Sequence, residues 1–203
     1  TLACLLAVTP LSPATLFAEN LTRVTTVQLG AEITGIYEQG NDLFFNTQHP
    51  EKDLKGPYSK ASVGVISNVN WQAAALPAPT TPENKARVVS TLGDYQILMQ
   101  EGDKGIVGVI KTLAGKDLIS SDDPDFNGYV PTGENSGLLF TNWENRPGGM
   151  SRAALTRSPD GKWSVGDVSM VDFSGVRGTW VNCFGTMSPW GTPISSEELY
   201  FDN

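Results

Sequence analysis

The chain has 203 residues, of which 39% are apolar and 18% charged, a balance that excludes both a disordered chain and a membrane helix bundle. Its net charge is -8 and its pI is near 4.6. That field repels phosphate backbones, so no nucleic-acid partner is expected, and a small phosphate substrate would need a local cation from arginine or a metal.

Residues 2–8, "LACLLAV", followed by Thr, Pro and small residues, look like the end of a secretory signal that lacks its basic start. Cleavage after Ala14 or Ala18 fits the small-residue rule, and residues 1–18 are expected to be a signal remnant ahead of a domain over 19–203. A short buried strand is the alternative. The run is too short to span a bilayer, so no transmembrane span is expected. Cys4 lies inside the run, with Leu5 to Val8 after it, which speaks against lipidation. Loss of Cys4 with the signal leaves Cys183 as the only cysteine: a buried inert thiol, an intermolecular partner or a metal ligand. The abrupt "EELYFDN" end suggests a fragment cut at both ends.

Strand signals follow in chain order. "EITGIYEQGNDLFFNTQ" predicts two strands around a Gln39-Gly40-Asn41-Asp42 turn. "GVISNV" and "DYQILMQ" are short β-type runs, and residues 72–88 between them are a Pro- and Ala-rich loop. "SGLLFTNW" is an apolar strand. "MSRAALTR" and "KWSVGDVSMVDF" flank the hairpin turn Ser158-Pro159-Asp160-Gly161. No stretch keeps helical spacing over three turns. The expectation is an all-β chain, a sandwich, barrel or propeller. Four-stranded blades explain the spacing well, with the chain supplying part of a β-propeller built from short antiparallel strands.

Four segments carry chemistry. "DPDFNGYVPTGE" fits a calcium loop, with Asp123, Asp125, Asn127 and Glu134 as oxygen donors and Gly128 at the turn. Its flanks are not helices and Pro131 interrupts it, so an acidic turn is the alternative. In "TNWENRPGG", Asn142 and Glu144 are two apart at a strand end and point to one side, with Arg146 two further on. An amide, a carboxylate and a guanidinium there would suit a metal and an anion; an ordinary polar turn is the bland reading. In "GTWVNCFGTMSPWGTPISSEE", Gly and Pro fix the path of the chain around Cys183, and Glu197 and Glu198 follow. A thiolate beside carboxylates needs a cation and suits a transition metal, the alternative being a buried cysteine beside surface glutamates. His49, the only histidine, excludes a histidine-rich zinc site and is read as a turn residue before Pro50.

The stretch around Cys183 resembles the Asn-Cys…Thr-Pro-Trp-Gly-Thr…Glu-Glu signature of the PhoX-type alkaline phosphatases. "DFNGYVPTGENSGLLFTNWEN" is similar to that family's segment ending in Asn-His-Glu, and "LFFNTQHPEKD" to its Gln-His-Pro segment. The resemblance covers residue 27 onward and implies an exported β-propeller, secreted, periplasmic or on the cell surface, that hydrolyses small phosphate esters at an iron–calcium centre. It implies Cys183 as an iron ligand, with Glu197, Glu198, Asn142 and Glu144 serving the metals; Arg146, on the rim beside Glu144, is the substrate-contact candidate of the residues themselves. Trp143 stands where the family usually has His, Phe184-Gly185-Thr186 replaces a glycine pair, and Ser196 replaces a second cysteine. The Gln-His-Pro segment comes early instead of late. The family's further ligands lie beyond the length of this chain, so as a separate polypeptide it is expected to be inactive. Two rivals are a non-catalytic calcium-binding surface propeller and a lactonase-type hydrolase of the same architecture.

Overall fold

The computed structural model describes residues 21–199; the expected signal remnant lies outside them. Strand β1 (Thr25–Thr26) is followed by β2 (Glu32–Gln39) and β3 (Asp42–Gln48). Gln39 pairs with Asp42 across a two-residue loop. Gly40 takes φ 61° there, which a side chain would resist. Strand β4 (Ser62–Ile66) ends sooner than its sequence suggests, because Asn68 turns left-handed at φ 53°. The Pro- and Ala-rich segment contains one turn of helix, α1 (Pro82–Lys85), capped by Thr81. Strand β5 (Val89–Ser90) pairs back to β1, and β6 (Tyr95–Gln100) completes a four-stranded antiparallel sheet of order β2-β3-β4-β6.

A hairpin of β7 (Val109–Lys111) and β8 (Asp117–Ser120) leads to the second four-stranded sheet. This is a simple meander of β9 (Pro124–Gly133), β10 (Ser136–Trp143), β11 (Gly149–Arg157) and β12 (Trp163–Met170). A third unit is represented by β13 (Asn182–Met187) paired with β14 (Pro193–Glu197). The chain is thus all-β and antiparallel, as its alternating runs predict. The first strands of the three units stand side by side, with β9 packed against both β2 and β13. Consecutive propeller blades repeat in this way; the described residues do not close a ring.

Alternation explains the packing between the first two sheets. Phe44 in β3, Tyr129 in β9, Leu139 in β10 and Trp163 in β12 point into one shared core. Trp163 meets Phe44 and Tyr129 edge-on, with ring centroids 5.4 and 5.7 Å apart. Each such side chain contributes about 1.5–3 kcal/mol by burial. The opposite face of β3 sends Phe45 into a second cluster with Ile66, Val69 and Leu92. At the outer edge, the Gln96 side chain donates to the Trp163 carbonyl (2.5 Å) and accepts from its N–H (3.0 Å). Between the second sheet and β13, the Phe126 ring abuts Gly185, where any Cβ would collide with it. This close approach brings β13 against β9 and sets the depth of Cys183.

Candidate metal centre

Toward one end of the first two sheets, the facing side chains grade from apolar to amide to charged. On β3 the same face carries Phe44, Asn46 and Gln48; on β9 it carries Tyr129, Asn127 and Asp125. The amide layer is closed by hydrogen bonds. Asn127 donates to Asn46 Oδ1 (2.7 Å) and to the Gly35 carbonyl (2.9 Å), and accepts from Thr141 Oγ1 (2.7 Å). Asn46 in turn donates to the Asp125 carbonyl. This buried ladder fixes the height of Asp125 above the apolar core.

On that floor stand Asp125, Glu144 and Cys183, whose donor atoms all lie within 4.8 Å of one another. The Cys183 thiol donates to Asp125 Oδ2 at 3.0 Å. Glu144, just past the end of β10, is placed by its N–H donating to the Asp123 carbonyl (2.8 Å). Cys183 is placed by Asn142, whose Nδ2 donates to the Cys183 carbonyl (2.9 Å) and the Phe184 carbonyl (3.3 Å). Val181, buried and at φ 48°, turns the chain into β13. A β-branched residue at positive φ costs about 1–3 kcal/mol, and such strain clusters at functional sites. Here two hydrogen bonds hold it, Val181 N–H to Asn145 O (2.9 Å) and Glu198 N–H to Val181 O (3.0 Å).

The cluster opens into a cleft of about 460 Å³, whose walls include Gln48, His49, Asp123 and Arg146. His49 occupies the turn after β3 at φ 31°, its N–H donating to the Asp122 carbonyl, and its ring Nε2 lies 3.6 Å from Glu32. The titrations reflect crowded negative charge. Burial pushes the Cys183 thiol far up, reinforced by its bond to Asp125 and by the charges of Asp125 and Glu144, with Glu198 adding a further contact. Burial raises Glu144 as well, and Asp125 and Glu198 add to it, while the Gln48 amide opposes them. Asp123 is raised by burial and by Asp122, against His49 and Lys52. Burial and neighbouring charge favour the neutral forms of the Cys183 thiol, Glu144 and Asp123 unless a cation stands beside them.

The residues singled out in the sequence divide accordingly. Cys183 and Glu144 come together, Glu198 borders them while exposed to solvent, and Arg146 lines the same cleft. Glu197 turns away, its carboxylate accepting from the Trp180 N–H at 2.7 Å. Asn142 is fully buried and ties β10 to β13. Trp143 faces the apolar core, its Nε1–H donating to Ser151 Oγ at 2.9 Å.

The twelve-residue calcium pattern does not form a loop: residues Pro124–Gly133 are one extended strand. A loop closes its donors around one ion, but a strand advances about 3.3 Å per residue. Glu134, past the far end of β9, is therefore remote from Asp123 and Asp125, and Asn127 is committed to the amide ladder. An Asn127→Ala variant is expected to lose about 2–4 kcal/mol in urea unfolding, equally with and without calcium, because it strands Asn46, Thr141 and the Gly35 carbonyl. Calcium-dependent loss would restore the ligand role.

Sequence reasoning missed Gln48 and Asp125's link to the thiol. The available signal was the Asn46–Gln48 alternation behind Phe44, which carries polar groups toward the strand end on the core-facing side. The fold and site define an all-antiparallel-β protein with a thiol–carboxylate cluster where the first strands of its units meet. Comparison with protein-family models, curated proteins and solved structures returned no match. Among the described residues, no helix is long and apolar enough to cross a membrane.

Proposed function

We propose that this chain belongs to an exported, metal-dependent phosphomonoesterase, with iron as the cation that Cys183, Glu144 and Asp125 would hold. The observation that carries the reading is the convergence of one thiol and two carboxylates, drawn from three separate strands or strand ends, within 4.8 Å. A mixed sulfur and oxygen donor set suits a borderline transition metal better than calcium. In the Asp123–Glu134 segment, an extended strand, the donors do not converge on one calcium ion.

Such a cation would supply Lewis acidity to a phosphoryl oxygen. The chain's own residues bind and orient. Arg146 stands on the cleft wall, where its guanidinium suits an anionic ester against the acidic field of the whole chain. The Asn127 ladder holds Asp125 still.

The test uses protein expressed from its complete reading frame. Iron is expected to copurify near one equivalent or more per chain, and stripping it with chelator is expected to abolish p-nitrophenyl phosphate cleavage. Calcium retention without iron and without ester cleavage would support a calcium-held binding propeller instead. Turnover of lactones in preference to phosphate esters would support the lactonase-type reading.

A further inference from the structure

Gln48 is the last residue of β3 and is 4% exposed. It lies two residues beyond Asn46 on the face that meets β9, so the strand itself carries its amide into the cleft. Glu144 lines the same cleft. The Gln48 Nε2 has no hydrogen-bond partner. A buried donor left open costs about 1–3 kcal/mol, so it calls for an explanation. Strand pairing leaves the backbone little freedom to relieve it: Gln48 is in register with Glu32, and the next N–H is tied to Asp122.

We propose that Gln48 is the positioning residue of the cation centre, its Nε2–H donating to the Glu144 carboxylate and fixing which oxygen that carboxylate turns toward the cation. This inference rests on the reading of Cys183, Glu144 and Asp125 as a metal site. Carboxylate ligands need such outer partners to hold their orientation, and losing one costs ~10–100-fold in metal affinity. With a cation held there, that bond would satisfy the donor that is otherwise open. Gln48 does not itself coordinate the cation.

The test titrates cobalt(II) into chelator-stripped full-length protein and follows the thiolate-to-cobalt charge-transfer band. Gln48→Leu and Gln48→Met remove the donor at similar volume. Both are expected to bind cobalt ~10–100-fold more weakly, with altered ligand-field bands. Their metal-free unfolding midpoints are expected to equal or exceed the parent's, since an open buried donor has been removed. A merely structural role would lower apo stability and leave affinity per folded molecule unchanged. Gln48→Glu, which replaces the donor by a charge, is expected not to rescue. Parent-like affinity and spectra in a folded Leu or Met variant would overturn the role of Gln48 while leaving the metal site standing. Absence of the thiolate band in the parent protein would overturn both.

Discussion

Replacing Cys183 with serine is expected to remove bound iron and phosphate-ester cleavage together while leaving the fold intact. Serine keeps a hydroxyl that can still donate to Asp125, the bond that the thiol makes at 3.0 Å. Metal-free stability should therefore change by no more than about 1 kcal/mol. The hydroxyl does not ionise near neutral pH and is a hard donor, so the soft ligand is lost. Loss of a group that only supports a ligand already costs ~10–100-fold in affinity, and loss of the ligand itself costs at least as much. Metal analysis and p-nitrophenyl phosphate turnover, read beside thermal unfolding of the stripped protein, check both halves. A Cys183→Ser protein that keeps its iron and its turnover would remove the basis of the proposed centre. Glu144→Gln should behave similarly, because it preserves shape and deletes charge.

The largest stability effect is expected at the opposite end of the two sheets. Asp42, its side chain 3% exposed, accepts from Arg157 Nε (2.6 Å) and Nη2 (3.2 Å), from Trp163 Nε1 (2.9 Å) and from the Asn68 N–H (2.8 Å). The aspartate sits at the start of β3, and its partners come from the second sheet and from the turn after β4. Arg157 also reaches Asn68 Oδ1 at 2.7 Å, so one carboxylate joins the two sheets and a turn. Asp42→Ala leaves a guanidinium, an indole N–H and a backbone N–H without their acceptor. Breaking a buried pair by removing one partner costs about 3–5 kcal/mol. For a domain of this size that lowers the melting midpoint on the order of 10 °C. Urea unfolding of parent and variant measures it. Loss below about 1 kcal/mol would mean that the pair is only a surface contact. The proposed metal centre lies at the far end of the sheets, so cobalt affinity per folded molecule should be unchanged, which separates this clamp from the site.

Local signals carried much of the fold. The Gln39–Asp42 and Ser158–Gly161 turns and the run "SGLLFTNW" announced their strands because period-2 alternation and turn residues act over a few residues. Other elements were hidden for the same reason. The segment at 124–133 reads as an ion-binding loop because its Asp, Asn and Gly spacing is shared by loops and by strands with one polar face. Only pairing with β10 and packing between β2 and β13 decide that it is extended. The hairpin of β13 and β14, rich in Gly and Pro, has little strand propensity of its own and takes its place by resting Gly185 against Phe126.

The sequence by itself determined the all-β class and marked Cys183 and Glu144 as chemistry-bearing residues, since alternation and residue chemistry are readable along the chain. Tertiary structure alone decided which acid meets that thiol. Asp125 lies 58 residues before Cys183 and reaches it because two sheets and a hairpin align their first strands. Glu197, only 14 residues after it, is spent on a backbone N–H. Proximity along a chain falls off within a few residues, whereas sheet packing brings together strand ends from anywhere in it, so the donor set of such a site is a property of the assembled fold.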